Sequence, residues 1–119
     1  MTDSPKVLMA SVELAPLVKV GGLADVLGSL PKALSKLGVK VKIIIPFFGS
    51  INVRKYKVVL VRKNIGLKIG QRANYFDLYR TKLPQSKIDV YLIKHRFFAG
   101  AKIYVGSKNT TEALVIPVV

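Results

Sequence analysis

Cysteine is absent from this 119-residue chain. That excludes a disulfide scaffold and a Cys-built zinc centre, and it fits a reducing compartment, so a cytoplasmic location is expected. Tryptophan is absent as well, and histidine occurs once, at His95. One His, no Cys and six acidic residues do not make a ligand set for a resident transition metal. No metal and no cofactor are expected. Long apolar runs are missing: Ile43-Ile44-Ile45 is far short of the roughly 20 residues that cross a bilayer. Met1-Thr2-Asp3-Ser4-Pro5 lacks the basic and apolar regions of a signal peptide. No membrane association is expected.

Acidic residues are scarce. Twenty Lys and Arg stand against six Asp and Glu, a formal charge of +14. Such a balance raises nucleic acid or an anionic surface as a partner. The cations are nevertheless scattered from Lys6 to Lys108 without a block of five or six, and many alternate with apolar positions, as in Val39-Lys40-Val41-Lys42. A solvated, lysine-rich surface is the better reading. A phosphate-bearing ligand or nucleotide comes next, and a stand-alone basic module for nucleic acid is kept as a minor alternative.

What the chain does have is apolar bulk. Half its residues are hydrophobic, enough for the core of one domain but not of two. Lys6 to Ser11 reads as a short buried strand. Glu13 to Gly22 reads as a loop, with Pro16 and the tandem Gly21-Gly22 as punctuation. Leu23, Val26, Leu27, Leu30, Ala33, Leu34 and Leu37 then recur at helical spacing. Pro31 interrupts them, so two short helices are expected, the second capped by Ser29, with Gly38 closing the last turn. Lys40 to Ile45 is a second strand before Pro46. Strand, loop, helix and strand make a βαβ unit with a right-handed crossover, and an open, mainly parallel α/β sheet follows. Val58–Val61, Leu67–Ile69, Tyr75–Tyr79 and Ile88–Ile93 read as further strands, with turn signals at Asn64–Gly66 and Pro84–Ser86. They suggest a β-hairpin insertion and a return to the main sheet at Ile88.

The loop before the helix is where chemistry is expected. In open α/β sheets, ligands lie beyond the carboxyl ends of the strands. Gly21 and Gly22 let a bulky ligand approach the backbone. A helix start leaves amide hydrogens unpaired and carries partial positive charge. Lys19 adds a full charge on a flexible stem. The spacing matches neither the dinucleotide fingerprint nor the P-loop, so an ordinary glycine turn beside a surface lysine stays open at this point.

The stretch Lys6 to Val26, with Lys19-Val20-Gly21-Gly22-Leu23-Ala24-Asp25-Val26 after Glu13-Leu14-Ala15-Pro16, closely resembles the amino terminus of bacterial glycogen synthases and plant starch synthases. Leu30-Pro31-Lys32-Ala33-Leu34, Leu37-Gly38 and Val41 to Pro46 keep that family's order. Phe76 to Tyr79 and Val90 to Ile93 are also similar. The resemblance is tight over residues 6–48, looser to about 109, and not followed through 110–119.

It implies that residues 1–119 are a partial amino-terminal catalytic domain, best matched over 6–109, of a GT-B-type glycosyltransferase with Rossmann-like domains. Such enzymes transfer glucose from ADP-glucose to the non-reducing end of an α-1,4-glucan with retention, in glycogen or starch biosynthesis, without a bound metal. Carried over, Lys19, Gly21 and Gly22 bind the donor. Asp25 matches the motif aspartate, or simply complements the helix dipole. Glu13 is either a contact to sugar hydroxyls or a generic exposed loop carboxylate. His95 either faces the cleft or is structural, and His95-Arg96 departs from the family's Asn or His before Pro. Phe97, Phe98 and Tyr104 read as core more than as a sugar platform. The carboxy-terminal domain, which supplies Arg, Lys and Glu around the donor, is not represented, and no catalytic residue can be assigned. The isolated chain is therefore expected to be inactive. The apolar ending Ala113 to Val119 suggests a truncated or frame-shifted reading frame, and a non-functional product is the third reading.

Overall fold

The computed structural model describes residues 5–98; Tyr104 and the apolar ending fall outside them, as does the side chain of Phe97. Five strands and one α-helix follow in the order β1 (Lys6–Ala10), α1 (Gly22–Lys36), β2 (Lys40–Pro46), β3 (Val59–Ile69), β4 (Arg72–Lys82) and β5 (Asp89–Lys94), and a 3-10 turn covers Arg96–Phe98. The strands form one sheet in the order β1-β2-β5-β4-β3. β1 runs parallel to β2, with Lys6 opposite Lys40 and Ala10 opposite Ile44. β2 runs parallel to β5, from Ile43 opposite Val90 to Pro46 opposite Ile93. β4 is antiparallel to β5, and β3 to β4.

The βαβ unit, the hairpin and the return to the main sheet are all present. The hairpin does not stand apart, however; it extends the same sheet. The result is a mixed sheet, parallel at the β1-β2-β5 side and antiparallel beyond it.

Alternation along β2 explains the core. Val41, Ile43 and Ile45 are buried on one face, where they join Val90 and Leu92 of β5 and Leu14, Leu17, Val18 and Leu27 from the loop and helix. Full burial of a side chain such as Ile43 contributes about 1.5–3 kcal/mol.

β1 departs from the buried strand expected. Its residues alternate exposed and half-buried. It is the edge of the sheet, and of its two faces only the one bearing Met9 packs on the core. Leu8, on the other face, is 64% exposed. An edge strand with exposed apolar residues is a template for self-association. Leu8→Lys is expected to reduce concentration-dependent association of the chain in sedimentation, with stability changed by no more than about 0.5 kcal/mol.

The two-helix expectation is also corrected. α1 is one 15-residue helix with Pro31 inside it. Proline removes the bond to the Leu27 carbonyl, but its ring is fully buried, and burial offsets the loss. Ser29 does not start a second helix. Its hydroxyl donates back to the Asp25 carbonyl at 2.8 Å, as mid-helix serines do. Gly38 ends the helix as expected, at φ 88. The Val39 amide reaches back to the Leu34 carbonyl at 3.1 Å, the closure that a left-handed residue permits.

The turn signal at Asn64–Gly66 proves to be an irregularity within β3, where the register shifts. Asn64 takes φ 54, and its amide donates to the Asp77 carboxylate at 2.9 Å instead of to the ladder. Asparagine tolerates this conformation, so the bulge resembles a turn in sequence. The chain reverses at Gly70-Gln71, between the paired Ile69 and Arg72, with Gly70 at φ 62.

Candidate functional site at the carboxyl edge of the sheet

Because β1, β2 and β5 are parallel, the segments that follow them emerge on one edge of the sheet. These are the loop to α1, the Phe47–Gly49 segment, and His95 to Phe98.

The first loop is built from the inside. Leu14, Leu17 and Val18 are buried anchors. Leu14 and Val18 exchange backbone hydrogen bonds at 2.9 Å in both directions, closing a small turn around the cis Ala15-Pro16 bond. The Tyr56 hydroxyl donates to the Pro16 carbonyl at 3.3 Å. The Ala15 amide donates to the Ala24 carbonyl at 3.0 Å, which ties the loop to the first turn of α1. The tie requires Gly28, because a Cβ there would lie 2.9 Å from the Ala15 carbonyl oxygen.

Lys19, Gly21, Gly22 and Asp25 come together at the start of α1. No side chain caps the helix at Gly21, whose backbone is extended. Neither Gly21 nor Gly22 has positive φ, and a Cβ on either would meet nothing within 4 Å. The folded chain itself therefore has no need of glycine at these two positions, and the space above them is open. The Lys19 ammonium pairs with the Asp25 carboxylate at 2.9 Å, both side chains being more than half exposed. Such a pair contributes about 0–1 kcal/mol, so Lys19 can leave it at little cost. Asp25 sits in the first turn, where its charge complements the helix dipole.

Glu13 is not the exposed carboxylate that one reading expected. It is 3% exposed, and its Oε1 accepts hydrogen bonds from the Val20 and Gly21 amides, each at 2.8 Å. Nothing in the local sequence announces this, since the partners are seven and eight residues away.

A groove of about 720 Å³ opens on the same edge, beside the hairpin. Phe47 and Gly49 after β2, Lys94, His95 and Arg96 at the end of β5, and Tyr75 to Asp77 of β4 contribute to its walls. His95 thus lines an opening, but not one shared with Lys19, Gly21 or Gly22. Phe98 belongs to the core, edge-on to Phe48 with ring centres 5.6 Å apart, as the core reading held. The hairpin's share of the groove escaped sequence reasoning, because Asn64 and Asp77 become neighbours only through the bulge.

Among the described residues no group of three or more His, Cys, Asp or Glu could hold a metal, and no helix is long and apolar enough to cross a membrane.

A parallel βαβ unit with an open glycine junction at its carboxyl edge defines a partial Rossmann-like α/β domain. Comparison with known proteins gives the family. The family model described as starch synthase catalytic domain matches residues 6–115, and the chain belongs to that family. It is 41% identical over 99 residues to the glycogen synthase of Gloeobacter violaceus, covering 83% of this chain and 20% of that protein. It is 38% identical over 113 residues to the glycogen synthase of Kosmotoga olearia, covering 92% of this chain and 23% of that protein. Among solved structures, the catalytic domain of starch synthase IV from Arabidopsis thaliana, bound to ADP and acarbose, superposes with a TM-score of 0.76. That match has 24% identity and covers 91% of this chain and 22% of the other. The likeness establishes the fold, a portion of a GT-B catalytic domain. The chain spans about a fifth of the length of the curated relatives it matches.

Proposed function

We propose that this chain forms the donor-phosphate side of a glucosyltransferase that takes glucose from ADP-glucose and adds it, with retention, to the non-reducing end of an α-1,4-glucan. The observation that carries the reading is the junction at the start of α1: an exposed Lys19 paired with an exposed partner, beside two glycines over open space. Membership of the starch synthase family supports glucosyl transfer. The ADP bound to the Arabidopsis relative supports an adenine nucleotide as ligand.

The chemistry follows from charge. As the bond between glucose and ADP breaks, negative charge accumulates on the departing diphosphate. A lysine and a helix start aimed at that charge stabilise the transition state more than the ground state. These fixed positive groups do the work that a divalent metal does elsewhere. Lys19 releases Asp25 and turns to the phosphates, Gly21 and Gly22 leave room for them, and Asp25 remains as the lysine's resting partner. The opposite wall of the donor cleft comes from the carboxy-terminal domain.

The test is a chimera in which this chain replaces the matching segment of the Gloeobacter violaceus glycogen synthase. Radiolabelled glucose is expected to pass from ADP-glucose to glycogen, and the isolated chain to show no transfer, since half a cleft cannot exclude water. A chimera with native circular dichroism and no transfer would reject the proposal.

A further inference from the structure

We propose that Glu13 is a positioning residue that holds the donor loop in its working shape; the inference rests on the donor reading of Lys19 to Gly22. Glu13 is 3% exposed, and a carboxylate is withdrawn from water only where bonds replace its hydration. A single oxygen, Oε1, receives two consecutive amides, Val20 and Gly21, at 2.8 Å each. Charge-assisted bonds of that length are about twice as strong as neutral ones.

The consequence is geometric. Fixing both N–H vectors on one atom fixes two successive peptides, Lys19–Val20 and Val20–Gly21. They join Lys19 to the start of α1. Glu13 thereby sets where the ammonium leaves the backbone and where the first helical amides point. It also divides the labour of the loop: the Val20 and Gly21 amides are turned inward to the protein's own carboxylate. A diphosphate is left with Lys19 and the first turn of α1. Glu13 is then not a contact to sugar hydroxyls, and it reaches the reaction only through the loop.

Two measurements test this. In the chain itself, hydrogen exchange at the Val20 and Gly21 amides is expected to be slow. It should stay slow in Glu13→Gln, whose amide oxygen still accepts, and become fast in Glu13→Asp, whose oxygen is withdrawn by one methylene. In the chimera, Glu13→Asp is expected to raise the KM for ADP-glucose about tenfold or more, the loss of one or more charged hydrogen bonds. The KM for glucan should not move, and Glu13→Gln should keep the donor KM within a few-fold of wild type. A merely structural glutamate would lower the melting temperature without singling out the donor KM.

Fast exchange at Val20 and Gly21 in the wild-type chain would overturn the hold on the loop. A raised glucan KM with unchanged donor KM would overturn positioning in favour of a sugar contact. If Lys19→Ala leaves both kcat and the donor KM unchanged while the exchange pattern is as expected, the donor reading fails and the loop hold survives it.

Discussion

Alanine in place of Lys19 is expected to lower the rate of glucosyl transfer by the chimera roughly 100- to 1000-fold, the loss seen when one preorganised donor is removed from developing negative charge. The size of the effect comes from where the charge acts, not from what the side chain does for the fold. Lys19 is exposed, and its partner Asp25 is exposed as well. Removing such a surface pair changes stability by no more than about 1 kcal/mol. The variant should therefore melt with the wild type while losing activity. The loss should appear in kcat at saturating ADP-glucose, because the charge that Lys19 meets grows as the diphosphate departs. Lys19→Arg keeps the charge but presents a broad planar fork, and is expected to recover part of the rate. Initial rates of transfer from ADP-glucose to glycogen decide the matter. A well-folded Lys19→Ala chimera that turns over at the wild-type rate would remove the junction from the mechanism.

Much of this fold was legible in the sequence because it rests on local patterns. The alternation of Lys40 to Ile45 and the apolar run Val90 to Ile93 mark strands whatever they pair with. Gly38 marks a helix end because a positive φ is needed there. The misreadings share one cause: a local signal was overridden by tertiary contacts. Pro31 should split a helix, but its ring is buried, and α1 stays whole. Asn64 and Gly66 should turn the chain, but the Asp77 carboxylate accepts the Asn64 amide and β3 runs on. Lys6 to Ala10 looks like a buried strand, yet β1 lies at the edge of this sheet. The candidate site was legible only where it is contiguous, from Lys19 to Asp25. Glu13's grip on Val20 and Gly21, and the groove that joins His95 to the hairpin, depend on closures of the chain that no short window contains.

Gly28 shows how tightly the junction is seated on the helix, and valine there is expected to destabilise the chain by about 2–3 kcal/mol. A Cβ at this position would lie 2.9 Å from the Ala15 carbonyl oxygen and 3.4 Å from the Ala15 Cβ. The first of these is a backbone atom, pinned by the neighbouring bond from the Ala15 amide to the Ala24 carbonyl. It cannot turn aside as a side chain would, so helix and loop must separate. Gly28→Ala suffers the same contact but gains about 1 kcal/mol of helix propensity, and a net loss of about 1 kcal/mol or less is expected. Gly66 supplies the contrast. A Cβ there would meet the edge of the Tyr75 ring at 3.2 Å, and that ring is 61% exposed and free to swing. Gly66→Ala should change stability by no more than about 0.5 kcal/mol. Urea unfolding of the three variants gives the order. Gly28→Val with a wild-type midpoint would mean that the loop yields freely to the helix, and a loop that yields so freely could not hold Lys19 in register with a diphosphate.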